Sequence, residues 1–302
     1  MTLRRNCATE APTGTPAGRS GLRQAIDSAA AVLAESGIGS ARSDAEQLAA
    51  HLSGTDRGHL AMLDPPGEEF FGRYRTAVAA RARRVPLQHL IGTAAFGPVL
   101  LDVGPGVFIP RPETEAMLEW AVAQPLPEHP VIVDACTGSG ALAVALSRRW
   151  PAARVVGIDD SKTALAYARR NAAGRVELVR ADIGAPGLLP QLDAGVDLFV
   201  ANPPYIPDGT ALEPEVAQHD PHHALFGGPD GMAVVAAVIG TAVRWLRPGG
   251  LLAVEHDDTA SARTVELISD TGYFEVVVPR RDLTGRQRFV TARRSGFAGE
   301  FR

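Results

Sequence analysis

The segment Asn202-Pro203-Pro204-Tyr205 follows directly on the apolar run Asp197-Leu198-Phe199-Val200-Ala201. Within four residues it offers a side-chain carbonyl, a backbone carbonyl on a chain whose φ is fixed, and a flat aromatic face. That set suits a planar amide or amine as nucleophile. An amide nitrogen attacks poorly because its lone pair is delocalised into the carbonyl. Attack is helped when acceptors hold both N–H groups and the lone pair is aimed at an electrophilic methyl carbon. Asn202 and Pro203 are the candidate acceptors. Pro204 stiffens the loop, and Tyr205 supplies the flat face and a π surface for a neighbouring sulfonium. Asn-Pro by itself also opens ordinary turns, so the surrounding elements decide its meaning.

A second set lies upstream. Asp134-Ala135-Cys136-Thr137-Gly138-Ser139-Gly140 stands between a short apolar strand pattern, Val131–Val133, and a helix pattern beginning at Ala141. Its glycines permit a tight turn with backbone N–H groups close to a ligand, and the helix start presents further free N–H groups. Asp159 ends the next strand pattern, 19 residues after Gly140, where a carboxylate can accept from both ribose hydroxyls. Asp182 ends the third strand pattern and suits an adenine edge. Cys136, Thr137, Gly138, Ser139, Gly140, Asp159 and Asp182 are thus candidate cofactor contacts. With Ala143 in the third position, a dinucleotide fingerprint stays open for the turn alone. The Asn202–Tyr205 loop, expected at the carboxyl end of the fourth strand, favours S-adenosyl-L-methionine.

The pattern behind these motifs predicts their placement. Residues 1–20 lack periodicity and read as a disordered tail. Residues 21–90 read as a small helical domain: Leu22, Ile26, Ala29, Ala30 and Leu33 share a face, Ser43 and Glu46 suggest a capping box, and Phe70, Tyr74, Ala77 and Val78 suggest an inward stripe. Residues 91–109 read as a hairpin linker, with Val99–Val103 and Val107–Ile109 as arms around Gly104-Pro105-Gly106. From about 110 to 295 helix and strand patterns alternate. They imply an α/β doubly wound, Rossmann-like sheet, with an antiparallel last strand formed by Gln287–Thr291.

The totals restrict the class. The 302 residues are 45% hydrophobic and 21% charged with a net charge of −4, an ordinary balance for a globular protein and no footprint for nucleic acid. Two cysteines, Cys7 and Cys136, make no disulfide framework, and no window resembles a secretory signal or a membrane span. A cytoplasmic enzyme is expected, with no membrane or direct nucleic-acid partner, acting as a monomer. His219, His222 and His223 cluster, yet sit beside Asp220-Pro221 in a loop without metal-ligand spacing, so no metal is expected. Arg73, Arg75, Arg81, Arg83 and Arg84 read as a solvated basic face, with contact to an acidic partner or to ribosomal RNA as the other reading.

Three further segments carry a resemblance: Val107-Phe-Ile-Pro-Arg-Pro-Glu-Thr-Glu115, Pro86-Leu-Gln-His-Leu-Ile-Gly92 and Asp282-Leu-Thr-Gly-Arg-Gln-Arg288. With the two motifs above they make the chain resemble, over residues 20–295, the HemK/PrmC family of class I methyltransferases. That resemblance implies methylation of the glutamine of the Gly-Gly-Gln motif in peptide chain release factors. It implies cofactor contacts at Cys136–Gly140, Asp159 and Ile183, with Asn202 beside them, and a substrate glutamine held by Asn202–Tyr205. It also implies Phe108 beside the reacting methyl, Arg111 near the same pocket, and a helical domain that helps hold the release factor. The chain departs from the family's usual pattern in Cys136, where a glycine-rich turn is common, and in Glu255-His256-Asp257-Asp258. Methylation of the exocyclic amine of adenine is the alternative, because the tetrapeptide is shared with amino-methylating DNA enzymes. A non-catalytic nucleotide-binding module is a third reading, and it leaves Asn202–Tyr205 without a purpose.

Overall fold

The computed structural model describes residues 19–296, so the reading of residues 1–20 as a disordered tail falls almost entirely outside the described residues. The chain divides into two compact units, residues 1–91 and 92–302.

The first unit is helical: α1 (Arg19–Glu35), α2 (Ala41–Ser53), α3 (Glu68–Ala82) and the short α4 (Leu87–Ile91). Leu22, Ile26, Ala29 and Leu33 of α1 pack with Ala45, Leu48 and Ala49 of α2 in one core. Two local expectations differ. Helix α2 begins at Ala41 after Ser40, with no side-chain cap. Ser43 instead accepts from Gln47 and Arg57, and Glu46 pairs with Arg42 and Arg57. In α3 the buried stripe is Phe71, Tyr74, Val78 and Arg81. The three- and four-residue spacing carries Arg81 onto the core face, where it is 4% exposed and meets Asp44 at 2.7 Å. Arg81 therefore does not belong to a solvated face, whereas Arg73, Arg75 and Arg83 are exposed.

The second unit opens with an antiparallel hairpin of β1 (Thr93–Phe96) and β2 (Val99–Asp102). Its turn is Gly97-Pro98 and it lies inside the second unit, so it is neither a linker nor built on Gly104–Gly106. Leu101 and Phe96 point into the core, and Val107–Ile109 runs on without forming a strand. Then come α5 (Glu115–Val122), β3 (Val131–Ala135), α6 (Ala141–Arg149), β4 (Arg154–Asp159), α7 (Lys162–Ala172), β5 (Glu177–Arg180), β6 (Val196–Ala201), α8 (Pro214–His219), α9 (Ala233–Trp245), β7 (Leu246–Glu255), α10 (Ser261–Asp270), β8 (Phe274–Arg281) and β9 (Gln287–Arg294).

The seven-stranded sheet has the order β5-β4-β3-β6-β7-β9-β8, with β9 antiparallel between β7 and β8. Strands β3 and β6 are buried at nearly every position, as expected of parallel strands covered on both faces. Met117, Leu142 and Leu146 cover one face, while Val235, Trp245 and Ile268 cover the other. The chain winds away in opposite directions from the neighbouring β3 and β6. The crevice at their carboxyl ends is therefore the topological switch point, where open α/β sheets bind ligands.

Candidate active site

Register explains why residues far apart in sequence meet. Ala135 pairs with Ile158 on one side and with Ala201 on the other, and Ala201 pairs with Val254. The next residue in each strand is Asp159, Cys136, Asn202 and Glu255. These four stand side by side along the carboxyl rim of the sheet.

A cavity of about 1090 Å³ opens at this rim. It is lined by Phe108, Arg111, Cys136, Thr137, Gly138, Ser139, Asp159, Asp182, Ile183, Asn202, Pro203, Pro204 and Tyr205. Of the candidate cofactor and substrate contacts named from the sequence, only Gly140 does not line it. Gly140 precedes α6 with φ of 86°, and it packs beside Ala168.

The turn is built by alternate left-handed residues. Cys136, Gly138 and Gly140 have φ of 58°, 56° and 86°. In this turn Thr137 N donates to Ile158 O at 2.9 Å and Gly138 N to the Asp159 carboxylate. Asp134 clamps the turn from below: its Oδ2 accepts from Thr137 Oγ1 at 2.6 Å and from Ala143 N at 3.0 Å. Burial pushes this carboxyl up to about 7, against those two hydrogen bonds. Asp159 braces the turn from the side. Its Oδ2 accepts from Gly138 N at 2.8 Å and its Oδ1 from Ser161 N at 2.9 Å. Each oxygen keeps a second lone pair for a ligand. Burial raises the Asp159 pKa, while the two backbone N–H groups lower it. Burial and the surrounding acids push the Cys136 thiol up, so it stays neutral. Asp182 lies exposed on the wall, its Oδ1 accepting from Gly184 N at 2.8 Å.

The Asn202–Tyr205 loop is fixed from behind. Asn202 Nδ2 donates to Thr114 Oγ1 at 3.1 Å, and its Oδ1 takes no hydrogen bond among the described residues. The Tyr205 hydroxyl donates to Glu255 Oε1 at 3.1 Å. Gly227 and Gly231 press on the loop backbone: a Cβ at either would collide with the Pro204 or Tyr205 carbonyl oxygen. Opposite, the Arg111 guanidinium lies 4.8 Å from the centre of the Phe108 ring and ion-pairs with the buried Asp220. Its charge is thus spent on tying the 206–225 loop to the 107–111 segment.

The sequence segments contain Thr114, Asp134, Glu255 and Arg288, but sequence reasoning gave none of them a role in the site. Thr114 lies inside the Pro-Arg-Pro-Glu-Thr-Glu segment and is 4% exposed, whereas Glu255 ends β7 as Asp159 ends β4. A buried acid at a strand end was the available signal. Arg288 lines the cavity, paired with Asp282. His223 reaches the cavity wall, while the His222 ring packs against Phe226. Among the described residues no group of three or more His, Cys, Asp or Glu is arranged to hold a metal ion.

The cavity fits S-adenosyl-L-methionine. It combines a glycine turn at the start of α6, the Asp159 carboxylate with lone pairs left for hydroxyls, and the apolar wall of Ile183 for a base.

Comparison with known proteins agrees. Residues 24–92 match the model of the PrmC N-terminal domain, and residues 132–213 match that of a methyltransferase domain. The release factor glutamine methyltransferase of Mycobacterium tuberculosis is 70% identical over 287 residues, covering 92% of this chain and 94% of that protein. That of Streptomyces coelicolor is 45% identical, covering 87% and 94%. A 4-amino-L-phenylalanine/4-methylamino-L-phenylalanine methyltransferase of Streptomyces pristinaespiralis is 41% identical, covering 83% and 88%. The chain belongs to the HemK/PrmC family of S-adenosyl-L-methionine-dependent methyltransferases.

Proposed function

We propose that this protein methylates the side-chain amide nitrogen of the glutamine in the Gly-Gly-Gln motif of peptide chain release factors, in the cytoplasm. One observation carries the reading. The cofactor turn and the Asn202–Tyr205 loop leave the sheet from the register partners Ala135 and Ala201 and line a single cavity.

The Cys136–Ser139 turn would hold the amino-acid end of the cofactor, Asp159 the ribose hydroxyls, and Asp182 and Ile183 the adenine. The bound cofactor supplies a methyl group made electrophilic by a sulfonium. Asn202 Oδ1 and the Pro203 carbonyl accept the two N–H groups of the substrate amide, so its lone pair faces the methyl carbon. Tyr205 and Phe108 confine the planar group. On accepting the methyl group the amide nitrogen would give up one proton to solvent water, and the spent donor would leave as a neutral thioether. No acid or base is required to activate the donor, so these residues contribute orientation and electrostatics. Arg111 keeps Phe108 and the 206–225 loop in place through Asp220. The helical first unit, matched by the PrmC N-terminal domain, is the part suited to gripping the release factor.

The test is mass spectrometry of a purified release factor after incubation with protein and methyl donor. One hydrogen of the Gly-Gly-Gln glutamine should be replaced by methyl. Duplex DNA and 4-aminophenylalanine run in parallel should stay unmodified, and methyl found on either of them alone would overturn the assignment. Asn202→Ala should lower turnover roughly 10²–10³-fold, as for deletion of one oriented transition-state partner.

A further inference from the structure

We propose that Thr114 and Glu255 are positioning residues, which set the orientation of the Asn202 amide and the Tyr205 ring for methyl transfer. The proposal deepens the functional reading above and rests on it.

Hydrogen-bond direction carries the argument. Glu255 is 1% exposed at the end of β7, one strand from Asn202. An ionised carboxylate only accepts. The Tyr205 hydroxyl donates to Oε1 at 3.1 Å, which fixes the outer edge of that ring. The Thr114 hydroxyl lowers the pKa of the same carboxylate, whose buried Oε2 has no hydrogen-bond partner and stands as an acceptor for it. Its proton is thereby directed at Glu255, and its lone pair is left for a donor. With that proton committed, the Asn202 amide turns its NH2 group toward Thr114, 3.1 Å away. Oδ1 is left facing away, as the acceptor the reaction needs. A charge at Glu255 is thus converted in two steps into the correct face of Asn202.

Reversing the charge reverses the chain. A protonated Glu255 donates to Thr114, the hydroxyl donates in turn to Asn202 Oδ1, and the amide flips its NH2 toward the substrate. Burial pushes the Glu255 carboxyl up to about 7; Thr114, Tyr205 and Arg288 oppose this and Glu113 adds to it. Arg288 is itself paired with Asp282. The flip therefore falls near neutral pH, with a lower rate on the acid side.

The experiment compares kcat across pH, cofactor affinity by calorimetry and thermal midpoint for wild type, Thr114→Val, Thr114→Ser and Glu255→Gln. Thr114→Val should lower kcat roughly tenfold to a hundredfold, less than removal of Asn202 itself, with cofactor Kd changed by less than about twofold. It should also abolish the acid limb near pH 7. Thr114→Ser should restore both rate and limb, which a merely structural role would not predict. Glu255→Gln, whose amide donates as the protonated acid does, should be slow and flat with pH even if Thr114→Val fails to fold. A full rate in Thr114→Val, or a kcat loss matched by lost cofactor affinity, overturns the proposal. A wild type that leaves the glutamine unmodified overturns the functional reading instead. The proposal is then judged without substrate, from the side-chain nitrogen NMR signal of Asn202. That signal should titrate near pH 7 in wild type and stay constant in Glu255→Gln; a signal constant in both overturns it.

Discussion

Asp159→Ala separates the cofactor assignment from mere proximity. The wild-type carboxylate spans two backbone N–H groups, Gly138 at 2.8 Å and Ser161 at 2.9 Å, and is only partly exposed on the cavity wall. Two hydroxyls of a ribose would complete its remaining lone pairs. Removing a charged acceptor of this kind costs about 1.5–3 kcal/mol, which is roughly a 10- to 150-fold rise in Kd. Loss of the Gly138 anchor acts in the same direction, since the turn must then be ordered by the ligand. Isothermal titration of S-adenosyl-L-methionine at pH 8 measures the effect directly. Asp159→Asn keeps one acceptor oxygen but turns an NH2 group toward the other backbone donor, so its Kd should fall between wild type and alanine. Because burial raises the Asp159 pKa, the wild-type affinity should fall on acidification before ordinary carboxylates titrate, and the alanine variant should lose that dependence. An alanine variant within about twofold of wild-type affinity would refute the ribose assignment.

Two further outcomes follow from the same rim. Asp134 is 1% exposed with its carboxyl raised to about 7 from 3.8. A carboxyl raised on folding opposes the fold once charged, so its relative contribution is best below about pH 4 and is lost as pH rises to 7. The loss is about 4 kcal/mol at most. Asp134→Asn should therefore raise the urea midpoint at pH 8 and flatten, without abolishing, the decline between pH 4 and 7, because Glu255 titrates over an overlapping window. A midpoint at pH 8 below wild type would contradict this. Cys136 holds φ of 58°, a conformation that costs a residue with a Cβ about 1 kcal/mol. Cys136→Gly should leave the thermal midpoint unchanged or higher and cofactor affinity within about twofold; a tenfold loss of affinity would show that the thiol itself holds the ligand.

The alternation of helix and strand from residue 110 onward was legible because buried parallel strands leave short, uninterrupted apolar runs, as in β3 and β6. The motif loops were legible because Gly, Pro and Asn are read through backbone geometry, which is local. What escaped was set by tertiary partners. Arg81 looks like a surface charge until Asp44 of another helix faces it. The Val107–Ile109 run has strand composition, yet the hairpin pairing goes to Thr93–Phe96, whose Gly97-Pro98 turn is tighter. Thr114 and Asn202 are 88 positions apart, and no sequence pattern announces that one orients the other. Asp159 was legible as a strand-end acid. Glu255 occupies the corresponding place on β7, but its purpose depends on the residues behind the loop.

The glycines at 227 and 231 have a consequence for any attempt to retune what this enzyme accepts. Both leave no room for even a methyl group between their own backbone and the carbonyl oxygens of Pro204 and Tyr205. The corner that grips the nucleophile is thus cast against a rigid mould, and enlarging either mould residue would shove the acceptors out of line. New acceptor substrates would have to be won elsewhere on the cavity lining, as at Phe108, Leu212 or Val216.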